Sequence, residues 1–226
     1  NYAGQVDESW EVFPTGRVVH HLRKGVHFAL NPNSEASLLV NGREWTAYDA
    51  EYALNRQAKT PGAYQYNSIP QAAKDVKITA LDKYTLELDI YPSEAFAVNY
   101  FFGEYAFADT AREVITKYGN MGDWRNVVGT GPYMLTDYVP GSQITYIRNP
   151  NYFQKDPAGP GKGSQLPYLN GLQHLILPDA STMLAAIRTG KLDVVESQGY
   201  DDTQSLLRTA PKLNVAYTYV AYYGVF

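Results

Sequence analysis

"VVGTGPYML", Val127 to Leu135, is the stretch on which the reading of this chain turns. Gly129-Thr130-Gly131 invites comparison with phosphate-binding loops, where backbone N–H groups and the N-terminus of a following helix converge on an anion. Pro132 follows the second glycine, however, and "YMLTDYV" beyond it has the period of a strand. No Lys-Ser/Thr pair follows, and no Gly-x-x-Gly completes a dinucleotide fingerprint. The phosphate reading fails. Gly129 and Gly131 are expected instead to let the chain bend sharply into a strand whose first residue is Pro132.

Working outward, "YMLTDYV" and "QITYIRN" flank Pro140-Gly141, the pair expected at the centre of a type II turn, so the motif leads into a hairpin. Upstream, "VKITAL" and "YTLELDIY" form a second hairpin around Leu81-Asp82-Lys83. Tyr84, Leu86, Leu88 and Ile90 share one face, with Val76, Ile78 and Ala80 on the same side of the partner strand. "GRVVHHLRKGVHF" reads as a further strand that ends in a turn at Lys24-Gly25.

Helices lie between these strands. One starts at Thr46 with Asp49 completing a capping box, and Ala50, Ala53, Leu54 and Gln57 form its buried stripe. Thr110 with Glu113 predicts another box, closed by Gly119. A third helix is capped at Asp179 or Ser181, carries Met183, Leu184 and Ile187, and stops at Gly190. It is expected to pass directly into a strand at Leu192–Val195. A short helix is expected at Thr203–Thr209, and "LNVAYTYVAYYGVF" as a closing strand. "QKDPAGPGKGSQLP" reads as an exposed loop. Hairpins mixed with helix–strand units specify an α/β (mixed α+β) fold.

Composition narrows the function. The 226 residues are 45% apolar and 19% charged with a net charge of −4, which suits a globular domain and offers no basic patch for nucleic acid. No apolar run approaches the roughly 18 residues of a membrane span. The N-terminus lacks the charged and apolar regions of a signal peptide, leaving a removed export signal or a cytosolic chain as alternatives. There is no cysteine, so thiolate nucleophiles and Cys-ligated metals are excluded. His20 and His21 are neighbours on a strand and point to opposite faces, so no metal set is expected of them. No Gly-x-Ser-x-Gly elbow and no nucleophile–base pair is visible, which argues against a hydrolase. Asp201 and Asp202 read as solvated loop acids. The 20 tyrosines, against 8 phenylalanines, suit a binding surface of wide contact area with polar tips.

The segments "HLRKGVHF", "NGREWTAYDAEYALNR", "VKITALDKYTLELDI", "VVGTGPYML", "YVPGSQITYIRNPNYF" and "AAIRTGKLDVVE" occur in this order. Together they resemble the family 5 extracellular solute-binding proteins, the oligopeptide- and dipeptide-binding components of bacterial ABC importers. Asn41-Gly42 stands where that pattern has Asp-Gly, Ala50 stands for Val, and an insertion near "ALNPNSEASL" separates Phe28 from Asn41.

The resemblance implies a periplasmic-binding-protein-like type II lobe with an inserted subdomain. Residues 1–24 would be the first part of lobe I, 25–127 the subdomain and 128–226 the continuation, with the second lobe absent from this chain. Two lobes would close on a peptide and present it to ABC permease subunits in the membrane. The alternative ligand is a sugar, an opine or a metal chelate on the same fold.

By the same resemblance, ligand contacts fall on Ser197, Gln198, Gly199 and Tyr200, on Tyr219 and Tyr223, and on Tyr64 or Tyr66. No catalytic residue, metal or cofactor is implied. The expected protein is a monomer at the periplasmic or extracellular face of the membrane, with a lipid anchor as one mode of attachment.

Overall fold

The computed structural model describes residues 6–90, 110–196 and 199–216. The chain divides into two compact units, Asn1–Tyr138 with Ile144–His174, and Val139–Gln143 with Leu175–Phe226.

The first unit is built on an antiparallel sheet of four strands, β1 (Asp7–Val12), β2 (Arg17–Leu22), β3 (Lys77–Asp82) and β4 (Thr85–Asp89), in the order β1-β2-β4-β3. Alternation fixes its register, because a slip of one residue would turn the apolar set into water. Val18 lies opposite Leu88, His20 opposite Leu86, and Ile78 opposite Leu88 on the other side. Leu86 and Leu88 are fully buried, each contributing about 1.5–3 kcal/mol by leaving water. The β3–β4 turn falls at Lys83-Tyr84, slightly later than the spacing suggests.

Helix α2 (Ala47–Lys59) covers this face, burying Ala50, Ala53, Leu54 and Ala58, with Gln57 only half-buried. At its start the Asp49 carboxylate accepts the Thr46 N–H at 3.0 Å and the Thr46 hydroxyl at 3.1 Å, as the Thr-x-x-Asp spacing predicts. Helices α1 (Glu35–Val40), α3 (Tyr64–Ser68) and α4 (Pro70–Asp75) were not evident from periodicity, being at most six residues long. Lys59 anchors α4 by donating to the carbonyls of Ala73 at 2.5 Å and Lys74 at 2.8 Å, groups that helix ends leave unsatisfied. Phe28, Trp45, Val26, Leu22, Val114 and Val128 complete one continuous core with these elements.

Helix α5 (Arg112–Tyr118) ends at Gly119 with φ 79° as expected, but its N-cap is Ala111, whose side chain has no group to cap with. The Glu113 side chain, expected to complete a capping box with Thr110, pairs with Arg43 instead. A short 3-10 turn (Trp124–Asn126) leads to a second sheet, β5 (Tyr133–Val139), β6 (Gln143–Arg148) and β7 (Gly171–Leu175), in sequential order. Gly141 has φ 71° in the β5–β6 turn, as Pro-Gly requires. Residues 154–167 form an exposed loop held by Tyr168, whose hydroxyl donates to Asp156 at 2.5 Å.

The second unit carries α6 (Ala180–Arg188) and α7 (Tyr200–Thr209). Asp179 caps α6 by accepting the Thr182 N–H at 2.7 Å, and Gly190 follows with φ 70°. Three expectations fail here. Leu192–Val195 is not a strand, because no described strand lies beside it to take its hydrogen bonds, and Val194 is 71% exposed. Helix α7 begins at Tyr200, not Thr203, with Gly199 as its N-cap. Leu213–Ala216 is not strand either, and the rest of the expected closing strand lies outside the described residues.

Candidate functional site

Two cavities open in the first unit. The larger, about 750 Å³, is a groove whose walls come from α1, the start of α2 and α5. Arg43 forms its charged floor. Its guanidinium donates to Glu113 at 2.5 and 2.9 Å and to Asp49 at 2.6 and 2.9 Å, while lying 4.9 Å over the Phe28 ring. These paired forks hold the Glu113 carboxyl below its ordinary range, Arg43 being the first cause, and tie α5 to the N-terminus of α2. Arg112 and Lys117 are engaged with the rings of Tyr52 and Tyr118 at 4.7 and 4.9 Å. The groove's charges are thus largely spent on one another or on aromatic faces.

The smaller cavity, about 280 Å³, lies beside the Gly129-Thr130-Gly131 stretch itself. Its formation begins with an antiparallel bridge in which Phe28 N–H donates to Arg43 C=O and Trp45 N–H to Val26 C=O. That bridge carries the chain to Ala29, whose N–H donates to the Gly129 carbonyl at 2.8 Å. Ser37 of α1 donates to the Ala29 carbonyl and accepts the Asn31 N–H, both at 2.8 Å, closing the loop. On the far side, buried Asn149 donates its amide to the Gly131 carbonyl at 2.9 Å and its N–H to Pro132 C=O at 2.8 Å. Tyr133, Met134 and Tyr146 supply the remaining wall.

This geometry corrects the reading of the glycines. Neither Gly129 nor Gly131 adopts the left-handed conformation that demands glycine, and a Cβ built on either meets no heavy atom within 4 Å. The bend does not need them. They leave space beside the backbone.

The residues expected to touch ligand are distributed as follows. Tyr64 and Tyr66 sit on α3, 49% and 39% exposed, and line neither cavity. Gly199 and Tyr200 start α7 in the second unit, with Tyr200 70% exposed. Ser197, Gln198, Tyr219 and Tyr223 lie outside the described residues. His20 and His21 face opposite acids as their strand dictates: His20 Nδ1 is 2.9 Å from Asp7 and His21 Nε2 is 2.9 Å from Glu11. Among the described residues no cluster of His, Asp or Glu could hold a metal ion, and no helix is long and apolar enough to cross a membrane. The smaller cavity was missed in the sequence because it joins residues 29–37 to 127–146, which no local spacing reveals.

Comparison with known proteins places this geometry in context. The di/tripeptide-binding protein 2 of Pseudomonas aeruginosa is 25% identical over 92% of this chain and 38% of its own length. The heme-binding protein A of Haemophilus influenzae is 26% identical over 93% of this chain and 39% of its own. Among solved structures, the periplasmic binding protein DppA of Helicobacter pylori in complex with peptide STSA superposes with a TM-score of 0.68 at 23% identity. It covers 90% of this chain and 40% of that one. The chain therefore spans about two fifths of the length of these relatives. The model of the bacterial extracellular solute-binding proteins, family 5 (middle), matches residues 1–226, and the chain belongs to that family.

Proposed function

We propose that this chain is part of the substrate-binding component of a bacterial ABC importer, capturing peptides between two lobes and delivering them to permease subunits in the membrane. The observation that carries the reading is the family match along all 226 residues. Relatives named as dipeptide- and di/tripeptide-binding proteins favour a peptide over a sugar, opine or metal chelate. Binding proteins of this kind do no chemistry: the ligand's differential affinity for the closed state drives capture and release. The described residues would then belong to lobe I, with 25–127 as its inserted subdomain and the flanking segments as the lobe proper. Strand β2 from the first segment hydrogen-bonds β4 from the second, so subdomain and lobe would share a sheet. The protein would work as a monomer at the periplasmic or extracellular face, with a lipid anchor as one mode of attachment.

Ligand would be touched by Tyr64 or Tyr66, Ser197, Gln198, Gly199, Tyr200, Tyr219 and Tyr223. Calorimetry on the full-length protein tests this. A di- or tripeptide should bind saturably and without hydrolysis, and the double variant Tyr219→Ala, Tyr223→Ala should weaken it at least several-fold. Cleavage of the peptide, or tight binding of a sugar and of no peptide, would overturn the reading.

A further inference from the structure

The smaller cavity has a chemical character that the larger groove lacks. None of its lining residues carries a charge, whereas the groove is lined by Arg43, Asp49, Glu51, Arg112, Glu113 and Lys117. The Gly129 carbonyl takes the Ala29 N–H and the Gly131 carbonyl takes the Asn149 amide, while the carbonyls of Val127 and Val128 accept from no group among the described residues. Donors are open as well. The N–H groups of Gly129 and Gly131 have no partner among the described residues. Asn31 is 6% exposed and lines the cavity; its carboxamide oxygen accepts the Asn33 N–H at 3.0 Å, which leaves its NH₂ group without a partner. The hydroxyls of Tyr133 and Tyr146 are likewise unengaged.

Open donors and acceptors beside apolar walls suit a ligand that carries both, as a peptide group does. An ionised carboxylate is a poor candidate, as no cation in the lining would offset its desolvation. A neutral carbonyl fits. Two glycines without side chains in a stretch of bare backbone also allow the close, strand-like approach by which proteins bind extended peptides. The volume, about 280 Å³, lies just below the roughly 300 Å³ at which small-ligand sites begin, so it suits a piece of a ligand. We propose that the Gly129–Gly131 cavity is a subsite for the uncharged interior of a peptide. A main-chain carbonyl would accept from the free backbone N–H groups and Asn31, with an apolar side chain against Met134, Tyr133 and Tyr146. The assignment rests on the peptide reading above and names where its ligand's middle, not its ends, is held.

The test uses the full-length protein and the best-retained member of a library of tripeptides built from Ala, Leu, Ser and Tyr. Gly131→Val puts bulk into open space at a residue whose φ is not left-handed, so the melting temperature should stay close to wild type while affinity falls at least tenfold. In the wild type, peptide should slow hydrogen exchange at the Gly129 and Gly131 amides. An N-acetylated, C-amidated version of the peptide should slow it too, since the termini are not what this site reads. If the wild type retains no tripeptide, the peptide reading and the subsite fall together. If it binds peptide but Gly131→Val binds equally well and both amides exchange as before, the subsite alone is wrong. Should Gly131→Val fail to fold, Gly131→Ala and the wild-type amide exchange decide the matter.

Discussion

Glu44 shows how one carboxylate can hold several segments in place. It accepts from the Gly25 N–H at 2.8 Å, from Lys83 at 2.7 Å and from the Tyr84 hydroxyl at 3.1 Å, joining the turn after β2 to the β3–β4 turn. Those donors, Lys83 first and Gly25 next, lower its pKa from the ordinary 4.5 to about 2. The folded form therefore binds this proton less readily than the unfolded form. Its contribution to stability is complete above about pH 4.5 and is lost as pH falls toward about 2. Urea titrations across that window should show stability dropping in the wild type, with a shallower drop in Glu44→Gln, which cannot titrate. Equal slopes would mean that other acids carry the acid sensitivity. Glu113 is depressed in the same direction by Arg43 and accounts for part of the slope that remains.

At the scale of elements, glycines fall into different classes according to what surrounds them. Gly171 at the start of β7 is a packing glycine: a Cβ there would come within 2.7 Å of the Tyr146 backbone carbonyl. Backbone cannot rotate aside as a side chain can, so Gly171→Ala should push β7 from β6 and cost about 1–3 kcal/mol. A thermal melt within 1 °C of wild type would contradict it. The same comparison explains what was legible in the sequence. Helix α2 could be read because a cap, a capping acid and an apolar stripe agree, and β3 and β4 because alternation survives over the whole hairpin. Strand β7 was missed because "GLQHL" is exposed at almost every position and has no alternation to read. The Thr110–Glu113 box was read from spacing that Arg43, seventy residues away, overrides. Local pattern cannot show a competitor that arrives through tertiary structure. For the same reason the spacing of residues 129–131 suggests a bend, whereas their surroundings mark the glycines as the side of a cavity.

At the scale of the whole chain, the two units differ in what holds each together. The continuous core of Phe28, Trp45, Leu54, Leu86, Leu88 and their neighbours belongs entirely to the first unit. Among the described residues of the second unit, only Ile187, Thr203 and Leu206 are buried. Local hydrogen bonds help its two helices, including Arg188 to the Thr209 hydroxyl at 2.8 Å, but such exposed contacts contribute little against the entropy of the chain. Amide exchange depends on the cheapest opening that frees each N–H, so the units should separate in a hydrogen-exchange experiment on the 226-residue chain. Amides of β2, β4 and α2 should exchange only with global unfolding, and those of α6 and α7 at least a hundredfold faster. In the full-length protein, a ligand or further chain that covers Tyr200 and Val194, 70% and 71% exposed here, should slow α6 and α7 selectively. Equal protection of both units in the 226-residue chain would show that the second draws its stability from more than the apolar burial described.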